Sequence, residues 1–171
     1  MGLRNNQRQV LRLAVAALTA AAYVALTLGL SFISFGSIQF RIAEIMNLMA
    51  FIDPIYGAGV VLGCLISNMF SPFGLVDAAI GTLCTAAAVF AISRTKNLLA
   101  ASFWPMLANT PVALFIAYAT HTNIFYNILT VWIGEIVVVA CLGYPLFRVL
   151  MSSKRVMSML GQIKTAKNGE S

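Results

Sequence analysis

From Leu13 to Ile33 the chain runs for 21 residues without a single charged side chain. About 20 apolar residues are what an α-helix needs to cross the hydrocarbon core of a bilayer. Further apolar runs follow almost without pause to Met151, and over the full 171 residues only 9% are charged and 60% are hydrophobic. A soluble domain carries about 25% charged residues. So few charges cannot cover a globule in water, but they suffice if lipid covers most of the surface. The expected fold is therefore an all-α membrane protein, a compact bundle of six transmembrane helices. It forms one domain over residues 1–151, followed by a basic tail, 152–171.

Breaks in the apolar runs set the segments. The first helix is expected from Val10 to Phe35, with Gly36–Phe40 as a connection. A basic start (Arg4, Arg8, Arg12) before an apolar run also marks signal peptides, but those have apolar stretches of about 7–15 residues and a small-residue cleavage site. This run is longer, so it is read as a retained helix. The second segment, Arg41–Ile52, ends at Asp53-Pro54 and is short for an upright crossing. The third covers Tyr56–Phe70 and stops at Ser71-Pro72-Phe73-Gly74. The fourth covers Leu75–Ser93, and Arg94-Thr95-Lys96-Asn97 is a loop. The fifth covers Leu98–Ala119, where Pro111 should kink it by removing a backbone hydrogen bond. His121-Thr122-Asn123 is a turn, and the sixth covers Phe125–Met151.

Charge then orients the bundle. With six crossings, one side receives Arg4, Arg8, Arg12, Arg94, Lys96, Arg148, Lys154, Arg155, Lys164 and Lys167, and the other only Arg41. Basic loops stay in the cytoplasm, so both termini are expected there, in the plasma membrane. The net charge of +6 is accordingly read as orientation and anionic-lipid contact. There is no aromatic-interleaved basic patch, which argues against nucleic acid as a partner. Cys64, Cys84 and Cys141 each sit in an apolar run at spacings that match no zinc or redox motif, and are read as inert.

On that topology the polar residues gather on the outer side. Arg41, Glu44 and Asn47 open the second segment, Asn68 closes the third, Asp77 opens the fourth, and His121, Asn123 and Asn127 lie between the fifth and sixth. Glu135 sits deeper in the sixth, where an ionisable group is costly and points to function; its partners could be ligand donors or Asn109 on the fifth. Arg41 and Glu44, three apart, share a helix face and could pair. Asp77 could serve the helix dipole, and Asp53 before Pro54 reads as turn chemistry. Trp132 and Tyr126 could stack on a flat solute or belong to an interfacial aromatic belt. Such a set at the mouth of an apolar bundle is what solute capture needs. The first helix carries Ala17, Ala21, Ala25 and Gly29 at a four-residue repeat, a flat face that serves either internal packing or docking of another membrane subunit. Gly59, Gly63 and Ser67 form a second stripe, read as internal packing. No catalytic signature, metal-ligand pair or cofactor motif is present, so the chain is not read as an enzyme.

Three stretches, Ile38-Gln39-Phe40-Arg41-Ile42-Ala43-Glu44, Gly57–Asn68 and Leu75-Val76-Asp77-Ala78-Ala79-Ile80-Gly81-Thr82-Leu83, resemble the QueT family, and the resemblance extends over nearly the whole chain. It implies a substrate-binding S component of an energy-coupling factor (ECF) importer. Such proteins bind a vitamin-like solute near the outer face and associate with a transmembrane T component and two cytoplasmic ATPases. The alanine face of the first helix then meets the T component. The cargo it implies is a queuosine precursor, a 7-deazaguanine base. A carboxylate, Glu44 or Glu135 with Asp77 third, would accept the base's amino and N–H edge. Asn47, Asn68 or Asn109 would meet its carbonyl and ring nitrogens, and Trp132 or Tyr126 would stack on it. Another flat vitamin such as thiamine or riboflavin, or a non-transporting membrane scaffold, are the rival readings.

Overall fold

Small residues decide where the first helices meet. In the computed structural model, which describes residues 5–34, 40–154, 156 and 158, helix α1 (Asn5–Gly29) lies along α3 (Pro54–Asn68). A Cβ on Gly59 would stand 2.5 Å from the Ala16 carbonyl oxygen, and one on Gly63 would stand 2.9 Å from that of Ala20. The backbones approach that closely only because the glycines have no side chain, which is how helices gain van der Waals contact in lipid. The Gly59–Gly63 stripe is thus internal packing, as expected. It meets Ala16, Thr19, Ala20 and Tyr23, and leaves Ala17, Ala21 and Ala25 exposed on the opposite face of α1.

Between these two helices in sequence lies α2 (Ile42–Phe51), which is wound as a 3-10 helix. Asp53 ends the turn after it and caps α3, accepting from the Ile55 N–H at 2.9 Å, with Pro54 at the first helical position where a missing N–H costs nothing. Arg12 Nη2 lies 3.8 Å from Asp53 Oδ1 and fastens the start of α1 to this turn. Helix α4 (Gly74–Arg94) follows a turn in which Gly74 has φ +60°, and packs back on α3.

The last two elements are long but irregular. Element α5 (Leu98–Thr120) is built of three pieces, Leu98–Ala101, Trp104–Ala108 and Thr110–Thr120. Pro105 and Pro111 each stand at the start of a piece. Where a kink is expected at Pro111 the helix is interrupted at Asn109, two residues before it, and a second interruption at 102–103 precedes Pro105. Element α6 (Ile124–Ser152) contains a π-helical stretch, Ile136–Gly143, between two α-helical ones.

Six apolar helical segments thus occur in the expected order, but not six full-length spans. Four (α1 from Gln9, α4, α5 and α6) are long and apolar enough to cross a membrane. At about 20 Å for a ten-residue 3-10 helix and about 22 Å for a fifteen-residue α-helix, α2 and α3 fall short of a core about 30 Å thick. No strand occurs among the described residues. The outside is oily: Leu83, in the middle of α4, is 72% exposed, and Phe90, Leu75 and Leu18 are comparably bare. The connection at 36–39 and the tail residues Arg155, Lys164 and Lys167, with Arg4, lie outside the described residues.

Candidate functional site

A 3-10 helix has three residues per turn, so positions three apart stand directly above one another. In α2 this lines up Glu44, Asn47 and Ala50, with Arg41 at the N-cap below them, and all four are buried. The same stretch wound as an α-helix would drift about 60° per step of three, leaving Ala50 on the face opposite Arg41. The other sides of α2, including Ile42, Ile45, Met46 and Met49, line an apolar cleft of about 380 Å³ closed by Leu26 of α1 and Phe147 of α6. The winding therefore separates a polar ridge from an apolar surface.

The ridge is held from three directions. Tyr23 of α1, fully buried, donates its hydroxyl to Glu44 Oε1 at 2.7 Å. Arg41 Nη1 lies 3.6 Å from the same oxygen, so the Arg41–Glu44 pair anticipated from spacing is formed. Asn47 Nδ2 donates to Glu44 Oε2. Each oxygen of Glu44 thus already has a protein partner.

A second group stands where α3 meets α4. Asn68 donates to Cys64 Sγ at 3.3 Å, and that sulfur lies 3.2 Å from Thr85 Oγ1. A side chain on Gly81 would run into the Asn68 amide, and Asp77 Oδ1 lies 4.0 Å from where its Cβ would be. Gly81 is what lets Asn68 and Asp77 share this corner. Asp77 lies in the first turn of α4, where a carboxylate suits the helix dipole. It makes no capping bond, because the cap position is held by Phe73 and both Asp77 oxygens are buried without a partner.

The third group uses the irregular elements. Asn109 occupies the break in α5 between Ala108 and Thr110. Its amide donates to Glu135 Oε1 at 2.5 Å, one of the two partnerships the sequence leaves open. Glu135 is the last residue before the π stretch of α6, and its Oε2 has no partner. Interrupted helices and π stretches are common where membrane and soluble proteins build sites.

The three groups lie within electrostatic range of one another: Tyr23, Cys64, Glu44 and Asp77 within range of Arg41, and Glu44 and Arg41 within range of Glu135. Buried side-chain atoms left without a partner include the hydroxyls of Thr27, Ser34 and Ser67, but one class predominates. Asn47 Oδ1, Asn68 Oδ1, Asp77 Oδ1 and Oδ2, and Glu135 Oε2 are all acceptors, all buried and all unpaired. A buried polar group without a partner costs about 1–3 kcal/mol, so each of these five oxygens is a place where a donor would be stabilising.

Not every anticipated residue joins them. Trp132 is half-buried and its indole N–H donates to Thr110 Oγ1 at 3.2 Å, so it borders the group on the α5–α6 side. Tyr126 is 56% exposed and lies away from the cluster. His121 is exposed and ends α5 with φ 52°, a left-handed cap, and Asn127 bonds Thr122 Oγ1 and the Asn123 carbonyl. Tyr23 was not anticipated. Its single polar atom in a run of alanines and leucines was the available signal, since a tyrosine hydroxyl buried in a membrane helix needs a partner.

No solved structure matches this chain. A curated protein described as "Queuosine precursor transporter QueT", from Lactococcus lactis subsp. cremoris (strain MG1363), is 49% identical over 71 residues. That stretch covers 40% of this chain and 41% of the relative. The match to the family described as "QueT transporter" is far longer, running over residues 13–152 and so through all six helical segments; the chain belongs to the QueT transporter family.

Proposed function

We propose that this chain is the solute-capturing S component of an ECF-type importer, and that it binds a queuosine precursor, a 7-deazaguanine base. The observation that carries the reading is the set of five buried, unpaired acceptor oxygens on Asn47, Asn68, Asp77 and Glu135. A 7-deazaguanine offers an amino group and ring N–H donors on one edge, the complement of such a set. Glu44 already has Arg41 beside it, whereas both Asp77 oxygens lack a partner, and the ammonium of an aminomethyl substituent would suit that carboxylate. The name of the relative from Lactococcus lactis supports the same cargo.

The sequence has no phosphate-binding loop, and in this reading the energy is supplied by partners, a membrane T component and two cytoplasmic ATPases. The exposed face at Ala17, Ala21 and Ala25 suits the T component, because small residues let a partner helix approach closely. In this reading α2 and α3 complete six crossings, and both termini are cytoplasmic. The Arg12–Asp53 pair supports that arrangement by setting the start of α1 beside the α2–α3 turn.

The test is mass spectrometry of solute copurified with the protein, followed by calorimetric titration with 7-aminomethyl-7-deazaguanine, guanine, thiamine and riboflavin. The deazaguanine is expected to bind tightest. Preference for thiamine or riboflavin would replace the cargo, and binding of none would favour a scaffold.

A further inference from the structure

Glu44 is the carboxylate that the sequence presents most plainly as a ligand for a base, yet each of its oxygens is already taken inside the protein. The geometry points to a different division of labour. We propose that Tyr23 is the positioning residue of the solute site: by donating to Glu44 it orients the Asn47 amide, so that Asn47 Oδ1 is presented to the solute. This rests on the solute-capture reading and concerns how that site is set.

The steps run through three side chains. Tyr23 is fully buried, and a Cβ on Gly63 would stand 2.8 Å from the Tyr23 Cβ, so the side chain leaves α1 at the α1–α3 seam and is enclosed by the bundle. Its hydroxyl fixes Glu44 Oε1 at 2.7 Å, a hydrogen bond where Arg41 at 3.6 Å makes only an ion pair. With one oxygen pinned, Oε2 has a fixed direction, and it is this oxygen that receives Asn47 Nδ2. The oxygen and nitrogen of an amide lie on opposite sides of one carbon, and only the nitrogen can donate. An amide whose nitrogen is tied to Glu44 must therefore turn its oxygen the other way. That oxygen is fully buried and unpaired.

The arrangement also explains why a tyrosine stands at this place in α1. Thr19, Tyr23 and Thr27 make the buried stripe of the helix. Thr19 returns its hydroxyl to the Val15 carbonyl of its own helix at 2.8 Å. Tyr23 alone among the three has the reach to span from α1 to α2. Phenylalanine would fill the same space without donating. Glu44 would then be free to turn toward Arg41, and Asn47 would lose its reference.

The experiment uses the full chain in lipid nanodiscs, titrated calorimetrically with 7-aminomethyl-7-deazaguanine. Tyr23→Phe is expected to bind about tenfold more weakly than wild type, the effect of losing one hydrogen bond to a charged group. In an Asn47→Ala background the same substitution should change the affinity less than twofold, because there is no amide left to orient. Such non-additivity is a signature that general loosening of the fold does not give. The cycle of Glu44→Gln with Asn47→Ala reads the second link in the same way and serves if phenylalanine is not tolerated at position 23. Wild-type affinity in Tyr23→Phe, or a tenfold loss that persists undiminished without Asn47, overturns the proposal while the capture reading stands. Wild-type protein that binds no base overturns both.

Discussion

The α1–α3 seam and the polar centre lie one side chain apart, at Tyr23, and they are built on opposite principles. Along the seam two regular α-helices meet through glycine and alanine, with backbone atoms as the contact surface. In the centre the key residues stand where α-helical geometry is given up: Glu44 and Asn47 on a 3-10 helix, Asn109 at a break, and Glu135 at the entry to a π stretch. The seam leaves no room, and the centre leaves five acceptors without donors. The contrast teaches that this small bundle keeps its closest backbone packing and its unpaired polar atoms in separate places. Departures from regular local structure gather where function competes with stability.

The sharpest way to break that contrast is to put bulk into the seam. In Gly59→Leu the added side chain would begin 2.5 Å from a backbone oxygen that cannot move aside. Overpacking of this kind costs about 3 kcal/mol when the neighbours are backbone. Thermal unfolding in detergent should fall accordingly, and base binding should decline only in proportion to the folded fraction. An unchanged unfolding temperature would show that α1 and α3 do not depend on close approach.

The complementary change belongs in the centre. Asp77→Asn removes a carboxylate whose oxygens make no hydrogen bond within the protein, so the stability lost should stay within about 1 kcal/mol, the size of the helix-dipole contribution. Affinity for the base should drop about 10- to 100-fold, the range for hydrogen bonds to a charged group. Calorimetry and unfolding on the same preparation read both. A variant that unfolds early yet binds normally would place Asp77 with the scaffold and erase the distinction between the two regions.

Sequence patterns disclosed the order of helices and most of the polar set, for physical reasons that can be named. Asp53-Pro54, Ser71–Gly74, Arg94–Asn97 and His121–Asn123 all interrupt apolar runs with residues that favour turns, and each is a boundary in the structure. Arg41 with Glu44, and Asn109 with Glu135, pair as helical spacing and burial in lipid require. The winding of α2 was not legible, because Ile-Ala-Glu-Ile-Met-Asn-Leu-Met is as compatible with an α-helix as with a 3-10 helix. Packing against α3, α4 and the π stretch decides between them. The π stretch itself has no local signature. Its Val-Val-Val run packs as readily in a regular helix. Which oxygens stay unpaired is likewise a property of the assembled bundle, since it depends on Tyr23 reaching Glu44 before any solute does.

The smallest expected effect marks where the centre ends. Tyr126 and Glu135 are nine residues apart, which at 100° per residue places them on opposite faces of α6, and Tyr126 is 56% exposed. Tyr126→Leu keeps an apolar contact with lipid and removes only the ring and hydroxyl. Stability should stay within about 0.5 kcal/mol, as for substitutions away from buried features, and affinity for the base should not change. Trp132 stands 60° from Glu135 by the same count and bonds Thr110, so the aromatic wall of the site, if α6 supplies one, is there. A clear loss of affinity in Tyr126→Leu would mean that the solute reaches the outward face of α6. The separation between a lipid-facing exterior and an enclosed acceptor cluster would then have to be redrawn.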